Sequence, residues 1–183
     1  MLILAGERWV LDSHFVNTSP EDAEANIALE MGLLAPEDVV HVAGTYNHDS
    51  GELHIPAGGL WSLDFDCSWD AEVEILGIGP HMHTHGASYS VDWIRTDGSV
   101  QRILDIPEWQ PEFRDRPPGL DFLEGEVVVQ PGDSFRTTCS WDNQTGAEIS
   151  FPEEMCTTFG VGFPLPDNAW CELGQESDHP APM

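Results

Sequence analysis

The chain has 183 residues, of which 33 are acidic and 6 basic, every basic one an arginine, for a formal net charge of -27 at pH 7. Such a field repels phosphate backbones and anionic lipid instead of releasing their counterions, so neither nucleic acid nor a membrane surface is an expected partner. No apolar run approaches the roughly 18 residues that span a bilayer, while 40% hydrophobic residues with 7 Trp suffice for one substantial core.

Taken in chain order, the first apolar segment covers residues 7–17. Ser19-Pro20-Glu21-Asp22 follows, a helix-cap pattern with Pro in the first turn that leads into AEANIALEMGLL. Helix and strand are both open there, and the surrounding pattern favours a strand. Segments rich in Val, Ile, Phe and Trp recur at 37–44, 60–68, 71–83, 87–95, 99–106, 121–130, 134–141 and 155–163. Turn signals separate them at Asn47-His48-Asp49-Ser50-Gly51, Pro56-Ala57-Gly58-Gly59, Thr96-Asp97-Gly98-Ser99, Pro131-Gly132-Asp133 and Asp142-Asn143-Gln144-Thr145-Gly146. Many short strands with dense punctuation predict an all-β chain, an antiparallel sandwich or barrel. A jelly-roll-like β-sandwich is the expected fold.

Four cysteines without a CxxC pair weaken the zinc-ribbon and thioredoxin readings and leave three disulfide pairings open. Two bridges imply an oxidising compartment, extracellular or periplasmic. The apolar run in MLILAGERWV is too short for a signal peptide, so either the thiols are reduced or a targeting segment lies upstream. Asn17-Thr18-Ser19 and Asn143-Gln144-Thr145 fit the glycosylation triplet, a pattern common by chance.

Chemistry-bearing residues concentrate in two places. In GPHMHTHG, residues 79–86, alternate positions on a strand share a face at about 6.6 to 6.8 Å separation, so His81, His83 and His85 can point one way and Met82 and Thr84 the other. A lone His is more often structural, but three at alternate positions point to a metal. Zinc bound by all three is a rival to copper. The second place is PGDSFRTTCSWDN, residues 131–143, followed by PEEMCTTF, residues 152–159. Met155 in an apolar strand would ordinarily be core filler. Beside two imidazoles its thioether becomes a soft ligand for the cuprous state, and such a set leaves a coordination position free.

Together these elements resemble the C-terminal, oxygen-binding domain of the ascorbate-dependent copper monooxygenases, the family of dopamine β-monooxygenase and peptidylglycine α-hydroxylating monooxygenase. The family's His-x-His-x-x-Gly fits His81, His83 and Gly86; pairing His83 with His85 would need a glycine where Ser88 stands. Its Pro-Gly-Asp turn and following cysteine match Pro131-Gly132-Asp133 and Cys139, and its Glu-Glu-Met-Cys segment matches Glu153 to Cys156.

The resemblance covers residues 37–174 and implies copper held by His81, His83 and Met155. It also implies disulfides Cys139–Cys156 and Cys67–Cys171, ascorbate as reductant, and hydroxylation of an aliphatic C–H bond of a small-molecule substrate with O2. Residues 175–183 are expected to be a tail. Residues 1–36 resemble the end of the family's N-terminal copper domain, where His14 would be one ligand of a second copper. That domain's adjacent His pair does not occur here, so an upstream domain is expected to be missing. Peptide-hydroxylating members carry an Arg and a Tyr where this chain has Gly79 and Phe159, so the bidentate carboxylate clamp is lost and peptide amidation is disfavoured. The alternative function is a copper-binding module without catalysis.

Overall fold

The computed structural model describes residues 19–51, 53–165 and 169–172, together with residues 8, 10, 13, 15 and 17. The chain divides into two units, Met1–Val42 and Ala43–Met183. In the first, the described residues carry a single 3-10 turn at Pro36–Asp38, and residues 19–35 form neither helix nor strand. The strand favoured for AEANIALEMGLL is therefore absent, as is the helix. Ile27, Leu29, Leu33 and Leu34 are all exposed there, so no buried apolar face offsets the entropy of ordering a regular element.

The second unit is an all-β sandwich. Its strands are β1 (Gly44–Asp49), β2 (His54–Ile55), β3 (Gly59–Ser68), β4 (Val73–His81), β5 (Gly86–Ile94), β6 (Val100–Ile106), β7 (Leu120–Asp121), β8 (Val128–Val129), β9 (Ser134–Asn143), β10 (Ile149–Ser150), β11 (Thr157–Phe163) and β12 (Ala169–Glu172). One sheet runs β12-β1-β11-β4-β7, with β8 also on β4; the other runs β3-β9-β5-β6; β10 and β2 form a small ribbon. The chain passes from one sheet to the other at β3–β4, β4–β5, β6–β7, β8–β9 and, by way of β10, from β9 to β11, as in a jelly roll. Pairing is antiparallel except for β1 with β12, which is parallel.

Sequence alternation explains the layers. On β9, Phe135, Thr137, Cys139, Trp141 and Asn143 are buried in turn, and the same period on β3 buries Phe65 and Cys67. Their inward faces meet the other sheet through edge contacts of Trp69 with Tyr46 and Phe135 at 5.3 and 5.4 Å. Cys67–Cys171 joins β3 to β12 across the sandwich, and Cys139–Cys156 joins β9 to the residue before β11. These are the two bridges that the family resemblance implies, and they belong to an oxidising compartment.

Four local expectations change, the first at residues 37–44, where the 3-10 turn Pro36–Asp38 runs into residues 39–43 without a strand and β1 starts only at Gly44. The turn read at residues 47–51 begins two residues later, because Asn47 to Asp49 pair with both β11 and β12. Asp49 then closes the turn by accepting the Gly51 N–H at 2.8 Å. Residues 121–130 form only the short β7 and β8 around a loop in which Glu126 and Glu74 accept backbone N–H groups of Leu123 and Gly125. Asn143 is buried, and its amide donates to the carbonyls of Ile55, Pro56 and Ala147, so its glycosylation triplet serves a loop anchor instead. No helix among the described residues is long and apolar enough to cross a membrane.

Candidate metal centre

β4 ends at His81, so His83 and His85 lie in the turn that leads to Gly86 at the start of β5. The expected strand through residue 83, with three imidazoles on one face, is cut short by side chains that replace the sheet ladder. The Glu154 carboxylate accepts the backbone N–H of His83 at 2.9 Å and of His85 at 2.7 Å. The Trp109 indole donates to the His83 carbonyl at 2.8 Å. With its polar backbone groups satisfied in this way, the turn needs no neighbouring strand.

Gly86 is required by this packing. A Cβ there would lie 2.6 Å from Met82 Cε and 2.6 Å from the Trp109 ring. Met82 Cε ends a flexible side chain, but the buried Trp109 ring is rigid and is the firmer obstacle. The glycine of the His-x-His-x-x-Gly spacing thus lets an indole close over the turn and hold it from the carbonyl side.

The second segment is clipped onto the first. Glu154 is fully buried, and the Trp141 indole N–H is its third donor at 3.2 Å. A buried carboxyl group facing three N–H donors keeps its acceptors satisfied in an apolar layer only while all three remain. The preceding carbonyl, that of Glu153, lies 2.9 Å from His83 Nδ1. A carbonyl only accepts, so Nδ1 carries a proton and, in the neutral ring, the lone pair is on Nε2, the arrangement second-sphere partners impose on metal-binding imidazoles. Met155 is half-buried between Glu154 and the bridged Cys156, and Thr157 beyond it is the cross-strand partner of His81. Both ends of the Met155 segment are therefore tied beside the two histidines.

The His81 and His83 ring centroids are 5.1 Å apart at 84°. Two imidazoles bound through nitrogen at about 2.0–2.1 Å and near a tetrahedral angle would place their centroids roughly 5 Å apart. An edge-to-face ring contact has the same spacing, so the Nδ1 tie of His83 is the more telling feature. Burial first, and the neighbouring His83 second, push the His81 imidazole below its ordinary range, while Asp49 and Asp115 pull it up. The neutral ring is the form that ligates a metal.

His85 enters this cluster through its backbone. Among the described residues no three His, Cys, Asp or Glu side chains are grouped to hold a metal ion. Two imidazoles and a thioether are a different donor set, one whose chemistry suits copper. His14 lies outside the described residues. Sequence reading missed Trp109 and Trp141, and noted Glu154 only as part of a motif. A buried acid next to a candidate sulfur ligand was the one available signal.

Fold and site together define an all-β sandwich carrying a histidine turn, clipped by a buried carboxylate, at one end. No family model matches the chain. Solved structures with similarity include that of infectious bursal disease virus Gx strain, 12% identical over 73% of this chain and 36% of that one, with a TM-score of 0.35. The VP2 subviral particle of the same virus is 15% identical over 73% of this chain and 37% of that one, with a TM-score of 0.31. The chain thus spans little more than a third of the length of these relatives.

Proposed function

We propose that the chain is the oxygen-binding copper domain of an ascorbate-dependent monooxygenase that hydroxylates an aliphatic C–H bond of a small organic substrate, with His81, His83 and Met155 holding the copper. The observation that supports this most is the clip between the two motifs: Glu153 orients the His83 ring, and Glu154 gathers the turn N–H groups one residue before Met155. When bound, copper supplies the one-electron chemistry needed to use dioxygen. The protein's own part is positional. Glu153 sets which His83 nitrogen faces the ion, Glu154 and Trp109 hold the turn, and Cys139–Cys156 limits the travel of Met155. An upstream copper domain, to which His14 would contribute, completes the electron supply, and the two disulfides favour a secreted or periplasmic protein.

The test is copper stoichiometry and cuprous affinity. The account expects one copper per chain and at least a tenfold loss of affinity in His81→Ala, His83→Ala and Met155→Ile, with His85→Ala close to wild type. Loss of binding in His85→Ala with no change in Met155→Ile would instead identify a three-histidine site. Copper binding without ascorbate-dependent oxygen uptake, even with the upstream reading frame included, would identify a binding module.

A further inference from the structure

A cavity of about 340 Å3 has Gly79 in its wall, two residues before His81 on β4. That volume is at the lower end of the roughly 300–1,000 Å3 typical of small-molecule sites. Across the ladder Gly79 faces Phe159 and Gly77 faces Val161, and β7 adds Leu120 and Asp121 opposite Ile78 and Gly77. A Cβ on Gly79 would come within 2.7 Å of the Phe159 ring, so that ring lies across bare backbone and takes the space that any side chain at position 79 would need. Gly79 and Phe159 are a matched pair: a long cationic side chain at 79 requires Phe159 to leave.

No residue lining the cavity is basic. The Tyr46 hydroxyl is engaged with the Gly77 carbonyl at 3.3 Å, and Asp121, at one end, is the sole charged group. An anion entering here would give up its hydration and find no cation. Phe159 and Val161, the cross-strand partners of Gly79 and Gly77, are exposed and offer apolar contact to whatever enters.

We infer that this cavity binds a compact, non-anionic, largely apolar molecule of the alkyl-aromatic class, and that this molecule is the substrate presented to the His81 end of the strand. Its second half rests on the copper assignment, since neighbouring same-face positions on β4 are about 6.6 to 6.8 Å apart. The binding itself does not need copper.

The experiment is therefore run on the metal-free full chain, with ethylbenzene, benzoate and benzylamine as neutral, anionic and cationic probes of similar shape, followed by ligand-observed NMR and calorimetry. Ethylbenzene should bind at least tenfold more tightly than benzoate, and benzylamine should also bind more tightly than benzoate, because the one charge in the lining is the Asp121 carboxylate. Val161→Asp should weaken it at least tenfold, whereas Val100→Asp, on exposed β6 of the other sheet, should leave it unchanged. Leu120→Asp serves as a second lining variant if Val161→Asp fails to fold by circular dichroism. Benzoate binding as tightly as either other probe, or ethylbenzene binding insensitive to the folded lining variants, overturns the inference. Because no metal is present, that failure leaves the copper assignment standing, and loss of copper ligation leaves the cavity result standing.

Discussion

The sandwich uses one device at both ends of β5 and β9. At the Gly86 and Trp141 end, Glu154 is fully buried and accepts two backbone N–H groups and an indole N–H. At the Ile94 and Ser134 end, Asp133 is 2% exposed and accepts the Trp93 indole at 2.9 Å and the backbone N–H groups of Thr96 and Gln130 at 3.0 Å each. The donor chemistry is the same, but the surroundings differ. Asp133 locks a Pro-Gly-Asp turn with no histidine beside it, whereas Glu154 holds two histidine N–H groups and precedes a methionine. The comparison teaches that a buried carboxylate with three donors is a structural lock in itself, and that it becomes part of a site only through what its donors carry.

Substituting each lock separates the two roles. Glu154→Ala and Asp133→Ala each leave one buried indole N–H and two partly buried backbone N–H groups without their acceptor and should each lower unfolding free energy by about 3–5 kcal/mol in urea titrations. Only Glu154→Ala should also lower cuprous affinity, by about 10–100-fold as for other second-sphere partners. Equal copper affinity in the two variants would erase the distinction between the ends.

The bridges sharpen it further. Removing Cys67–Cys171, which closes a separation of 104 residues, should cost about 4.7 kcal/mol on the chain-entropy scale, and removing Cys139–Cys156, with a separation of 17, about 3 kcal/mol. The smaller stability loss should carry the larger change in copper affinity, because it frees the Met155 segment. Gly86→Ala, which drives a methyl into Met82 and Trp109, should cost about 1–3 kcal/mol and weaken copper binding as the turn shifts. Smallest of all, Arg136→Ala breaks the exposed pair with Asp66 and should change stability by less than about 1 kcal/mol, with copper binding unchanged.

Much of the fold was legible because alternation and turn chemistry act locally. β3, β5, β6, β9 and β11 fall where Val, Ile, Phe and Trp alternate between glycine-bearing turns. The failures are non-local. Asn47 to Asp49 read as a turn, yet they are held in a strand by two neighbours far along the chain, and residues 19–35 have the composition of a regular element but are exposed throughout. At the site, the spacing of His81, His83 and Gly86 and the Glu153 to Cys156 segment were visible as motifs. That His83 leaves the strand was not, because the cause is a carboxylate 71 residues away. Trp109 gave no sign either, since an indole that closes a turn looks in sequence like any other core aromatic.

The most direct measurement is X-ray absorption at the copper edge of the cuprous protein, wild type against Met155→Ile. The account predicts two nitrogen scatterers and one sulfur in the wild type, with the sulfur shell gone and both nitrogens kept in the variant. A wild-type spectrum with no sulfur shell, or one unchanged by Met155→Ile, would contradict it.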